Sequence, residues 1–131
     1  MACALGLAAC ATPPGPGASA AAAPLAGTRW VAVVDGAEPQ SLPRLEFGEG
    51  GKLNGYTGCN MMSGTWRQEG AEARFGPIIS TKRFCVGAGG EMEKRLMAAL
   101  APGARGVREG EKLVLIAPGG ARFEFGPAAA S

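Results

Sequence analysis

At 131 residues with a formal net charge of +2, the chain is large enough for one small domain and too weakly basic to suggest a nucleic-acid partner. Its basic residues are scattered, with no run longer than Lys82-Arg83, and no apolar run approaches the roughly 18 residues needed to span a bilayer. Histidine is absent, which removes Ser-His-Asp chemistry, the usual base for a catalytic cysteine and the imidazole ligands of most zinc sites.

The chain opens on "MACALGLAAC", apolar and small, followed by "ATPPGPGASAAAAPLAG". Leu7-Ala8-Ala9-Cys10 resembles the lipobox of a bacterial lipoprotein leader, in which the cysteine is acylated and everything before it removed. Only nine residues precede Cys10 and the first charge is Arg29, whereas a signal peptide has about 15–30 residues and a basic start. Either the start lies further upstream or Cys10 is an ordinary buried or free cysteine; the expectation is the former, with a leader remnant at 1–10, a Pro/Ala/Gly-rich tether at 11–26, a folded domain at 27–126 and a loose tail at 127–131. A membrane contact is expected through the lipid on Cys10.

From Arg29 the pattern alternates. "TRWVAVV" places Trp30, Ala32 and Val34 on one face, and "PRLEFGE" turns Leu45 and Phe47 inward with Arg44 and Glu46 outward. "EGGK" predicts a hairpin turn into "KLNGYTG". A second hairpin joins "SGTWRQEG" to "EARFGPI" through Glu69-Gly70, and a third joins Leu113–Ile116 to Arg122–Phe125 around Pro118-Gly119-Gly120. One segment changes period. In "GGEMEKRLMAALAPG", Met92, Leu96, Met97 and Leu100 share a helical stripe, Glu91 and Glu93 occupy the first turn, and Pro102-Gly103 end it. The fold class read from this order is α+β, mainly β: an antiparallel curved sheet or partly closed barrel wrapped against one amphipathic helix.

The stretch "GYTGCNMMSGTW" carries the cysteine whose chemistry matters most. Cys59 has no histidine to activate it, and the body offers only two thiols for a metal that would ask for four ligands. With Cys3 removed and Cys10 acylated, Cys59 and Cys85 are the only thiols left, and in an exported chain they most simply pair. The alternative is two reduced, buried cysteines. No metal, no cofactor and no catalytic residue is expected.

"TGCNMMSGTW" followed by "FGPIISTKRFCVGAGGEMEKRLMAAL" resembles the META/HslJ domain family of bacterial envelope proteins. Gly58-Cys59-Asn60, Ser63-Gly64, Ser80-Thr81, Cys85, Glu93, Leu96 and Leu100 fall in the family's register, and the resemblance runs from Gly27 to Gly126. Met61-Met62 and the glycine-rich "VGAGG" are individual to this sequence. The resemblance implies an exported or lipid-anchored periplasmic protein, a sheet wrapped on one helix, an association with stress in some members, and no catalytic activity to carry over.

Asn60, Met61, Met62 and Ser63 form the candidate partner contact, since glycines and a disulfide hold the stretch and methionines adapt to partners. Asn60 reads equally as a turn residue, and at least one methionine as core. The function expected is non-enzymatic: an envelope domain binding or stabilising a protein partner. Alternatives are a secreted enzyme inhibitor or a carboxylate hydrolase drawn from Glu46, Glu49, Glu69, Glu72 and Glu124. Replacing Cys10 with serine is expected to abolish acylation and the cleavage before residue 10. A Cys10→Ser protein whose processing and membrane association are both unchanged refutes the anchor.

Overall fold

A computed structural model describes residues 24–128. Eight antiparallel strands close into a barrel in simple chain order: β1 (Thr28–Ala32), β2 (Arg44–Phe47), β3 (Lys52–Tyr56), β4 (Met61–Glu69), β5 (Glu72–Ser80), β6 (Arg105–Glu109), β7 (Lys112–Ile116) and β8 (Arg122–Pro127). β8 pairs back onto β1, with Trp30 opposite Pro127 and Ala32 opposite Phe125, so the sheet anticipated as curved or partly closed closes on itself. Among the described residues the one α-helix, α1 (Ala88–Ala99), lies between β5 and β6.

Alternation sets the interior. Trp30, Ala32, Leu45, Phe47, Leu53, Met62, Trp66, Leu113, Leu115, Phe123 and Phe125 are all buried, and the residues alternating with them turn to the outer face, where Val114 is buried as well. Phe47 meets Trp66 edge to face at 5.0 Å, and the Trp66 indole N–H donates to the Gly48 carbonyl at 3.1 Å, so the buried aromatic also satisfies its polar edge.

The two ends of the barrel are closed differently. At one end lie the β1–β2, β3–β4 and β7–β8 connections, and α1 covers it with Met92, Leu96, Ala99 and Leu100 in the core. Met97, placed on the same stripe by the sequence, is only half-buried. The opposite end is stoppered by Leu25, 1% exposed and part of the same core. Its amide donates to the Gln68 side-chain carbonyl at 3.0 Å, the next glycine's amide bonds Phe47 O, and Arg108 holds the Pro24 carbonyl. The packed domain thus begins before the Gly27 boundary expected from composition. It also continues past Gly126, because Pro127 belongs to β8 and the Ala128 amide bonds Arg29 O at 3.0 Å.

β6 has no counterpart among the elements read from the sequence. Its inward positions are Gly106 and Arg108. An added Cβ at Gly106 would come within 3.3–3.5 Å of Phe75, Ala73 and Leu113, and Arg108 lies over the Trp30 ring, so neither carries the apolar side chain that marks an inner face. Among the described residues no helix is long and apolar enough to cross a membrane.

Truncating the stopper tests the role of the first described residues. Leu25→Ala is expected to cost about 2–5 kcal/mol in urea unfolding, as for a buried leucine whose cavity cannot collapse. A change under about 0.5 kcal/mol, the level of an exposed site, would show that Leu25 lies outside the core in solution.

Candidate functional site

The candidate site is the helix-covered end of the barrel, built around the β3–β4 turn. Gly58 has φ +102°, a conformation that strains any residue with a side chain, and a Cβ there would lie 2.8 Å from both Met92 Cβ and Ser41 O. Facing it, a Cβ on Gly89 would come 2.6 Å from Gly58 O. Two glycines thus bring the turn against the first turn of α1, which puts the turn's polar side chains within reach of Glu93.

Glu93 Oε1 accepts from the Thr57 hydroxyl at 2.6 Å and from Asn60 Nδ2 at 2.9 Å. The Thr57 oxygen also accepts the amides of Cys59 and Asn60, and Asn60 Nδ2 donates a second bond to Arg83 O at 3.1 Å. Asn60 Oδ1 accepts from the Arg83 amide at 2.6 Å and the Thr81 hydroxyl at 2.9 Å. Both buried side chains have spent their hydrogen-bonding capacity on the fold. The disulfide Cys59–Cys85, Cα atoms 6.0 Å apart, joins the same turn to the same loop.

This geometry divides the expected contact stretch. Asn60, 3% exposed, and Met62, also buried, have no side-chain surface to offer a partner. Asn60 is a turn residue clamping the 81–83 backbone, and Met62 is core. Met61, 61% exposed, and the half-buried Ser63 remain outside.

What the sequence reading missed lies across the disulfide. In the loop from Thr81 to Gly87, Phe84 is 90% exposed and Val86 80% exposed, on either side of bonded Cys85. Ile79, 70% exposed, shares a shallow groove with Met61, so the large exposed apolar side chains gather at this end. Lys82 and Arg83 are exposed beside them and form no ion pair among the described residues. The one signal available was "KRFCV", in which large apolar residues flank a cysteine in a segment with neither strand nor helix periodicity.

Four of the five glutamates considered for hydrolysis sit beside cations on the outer wall. Glu46 pairs with Arg29 at 3.0 Å and Glu124 with Lys112 at 3.1 Å. Glu69 and Glu72 share Arg74 and are further matched by Arg67 and Arg105. An open groove on the outside of β1–β3 holds Arg29, Glu46, and Arg44 stacked 5.2 Å over the Tyr56 ring. Among the described residues no three His, Cys, Asp or Glu side chains are placed to hold a metal ion. Cys10 lies outside the described residues.

Compared with known proteins, the chain matches the family model "META domain" over residues 23–130. An NMR structure of a protein from Burkholderia xenovorans superposes with TM-score 0.65 at 20% identity, covering 95% of this chain and 96% of that one. A second NMR structure gives TM-score 0.60 at 20% identity, over 78% of this chain and 90% of its own. At that identity the likeness establishes the fold alone. Comparison with curated proteins gave no match.

The network predicts a specific pH response. Asn60→Asp keeps the oxygen that accepts from Thr81 and Arg83 but turns a carboxylate oxygen toward Glu93. Carboxylates sharing a site raise one another's pKa, so the folded variant would hold a proton that the unfolded chain releases. With the folded pKa above the unfolded one, its stability is expected to rise as pH falls from neutral toward about 4. Asn60→Ala is expected to lose about 2–4 kcal/mol without that recovery, since it only orphans buried groups. Urea titrations across pH check both, and a flat profile for Asn60→Asp would contradict the contact with Glu93.

Proposed function

The chain belongs to the META domain family, and on that premise we propose that it is a non-catalytic cell-envelope domain that binds or stabilises a protein partner, carried on a lipid anchor at Cys10 by its Pro/Ala/Gly-rich tether. The observation that supports this reading is the rigid presentation of Phe84 and Val86. Scattered exposed apolar residues are ordinary, but here two flank a disulfide in one loop, and Met61 and Ile79 are exposed on the adjoining strand ends.

The loop is held by backbone bonds from Arg83 to Asn60 and by Cys85 to Cys59, so a partner would find it already ordered. Ordering that is complete before binding does not oppose binding, and an exposed aromatic next to a fixed backbone is the usual form of an interface anchor. Burying Phe84 and Val86 would each contribute about 1.5–3 kcal/mol. The same rigid loop favours, as a second reading, the blocking of an enzyme's cleft.

In-cell crosslinking of intact envelopes is expected to trap a protein partner with the native chain and to lose it with the double variant Phe84→Ser, Val86→Ser. Both side chains are exposed, so the melting temperature should change little. Capture that survives the double substitution rejects the loop as the contact. Inhibition is distinguished by whether the trapped protein is an enzyme that loses activity in the complex.

A further inference from the structure

We infer that the free edge of β5 is a strand-addition site, taking an extended segment of a partner protein with apolar side chains at alternate positions and acidic residues at one end. This goes beyond the loop contact and rests on the reading of the chain as a protein-binding domain, but on a different observation. β5 runs from Glu72 to Ser80, yet β6 pairs with it only at Glu72, Ala73 and Arg74. On its other side β5 stays paired with β4 as far as Ser80. From Phe75 onward, one edge of β5 therefore has no strand beside it. The chain instead leaves into the 81–87 loop and α1, and returns only at Arg105.

An edge of this kind presents backbone donors and acceptors at strand spacing, which another strand matches better than any other structure. Pro77 lies within it beside the β4–β5 register shift and withholds one amide, so an added strand would bond the edge on either side of that position. Alongside runs an open groove of about 520 Å³, with Phe75, Pro77 and Ile78 on the strand side and Met97, Leu100 and Pro102 on the helix side. A segment laid along the edge points every second side chain to one face, so alternate apolar residues would enter this groove. Lys82 and Arg83 follow at the end of the edge, exposed and without ion pairs among the described residues. Their charge calls for acidic residues on the part of the segment that lies next to them.

The probe is a displayed library of random peptides selected on the full chain, followed by backbone hydrogen exchange with a winning peptide bound. Enriched sequences are expected to alternate apolar positions and to carry acidic residues at one end. They should slow exchange at amides within 75–80 by about tenfold or more, as added strand hydrogen bonds do. Ala101→Lys, which lines the same groove, should weaken binding by about tenfold or more. The exposed pair Lys82→Glu, Arg83→Glu provides an independent variant that keeps the fold, and should weaken binding by about tenfold and remove the acidic preference. No enrichment, protection elsewhere than β5, or peptides indifferent to both variants would overturn the site. Such a failure, with partner crosslinking through Phe84 intact, would remove the strand-addition site and leave the binding function standing.

Discussion

The side-chain amide of Asn60 is the point on which one whole end of this molecule depends. It is buried and uses both polar atoms: the oxygen takes the Arg83 amide and the Thr81 hydroxyl, while the nitrogen reaches Arg83 O and Glu93. Two stretches distant in sequence, the β3–β4 turn and the run from the loop after β5 into the second turn of α1, meet at that group. The arrangement is possible only because Gly58 and Gly89 let turn and helix backbones approach closely. The covalent link from Cys59 to Cys85 then ties the same turn to the same loop. In the chain-entropy account a bridge of this span contributes about 3–4 kcal/mol, a large share of the roughly 5–15 kcal/mol that holds a typical domain folded.

Where its strands pair all round, a closed barrel exposes no side edge, but it leaves two ends whose interior must be kept from water. Here the ends are covered by different means. Twelve residues of helix cover one, while a single leucine fixed by Gln68 and the neighbouring backbone covers the other. The helix has a cost in closure: placing it between β5 and β6 draws the chain away from the sheet, so that the pairing of those strands stops at Arg74. The same insertion therefore creates the covered end, the exposed loop and the open strand edge.

Most of the barrel was legible because period-2 alternation is a local signal, strong wherever inward positions carry large side chains, as at Trp30, Leu45, Phe47, Phe123 and Phe125. The helix was legible from Met92, Leu96 and Leu100. β6 was not, because its inward positions are Gly106, pressed against Phe75, Ala73 and Leu113, and the charged Arg108, so no apolar alternation shows. Leu25 was hidden by its neighbours, a lone large residue at the end of an alanine- and proline-rich stretch. The pairing of Cys59 with Cys85 followed from counting thiols, whereas the role of Glu93 could not, since its partners at Thr57 and Asn60 lie more than thirty residues away. Exposure at Phe84 was illegible for a related reason: an apolar residue in an aperiodic segment carries no sign of which way it faces.

Leu25 lies at one end of the barrel and the Phe84 loop at the other, and this opposition has a mechanical consequence. A pull applied between the N-terminal segment and a partner held at the loop runs along the strands rather than across them. Loaded that way, the hydrogen bonds of β1 to β2 and to β8 are strained together, in shear, instead of parting one after another like a zipper. The Asn60 clamp and the disulfide lie in line at the far grip, where they pass tension from the loop directly into the β3–β4 turn. Under such a load the domain would act as a short link pulled along its strands.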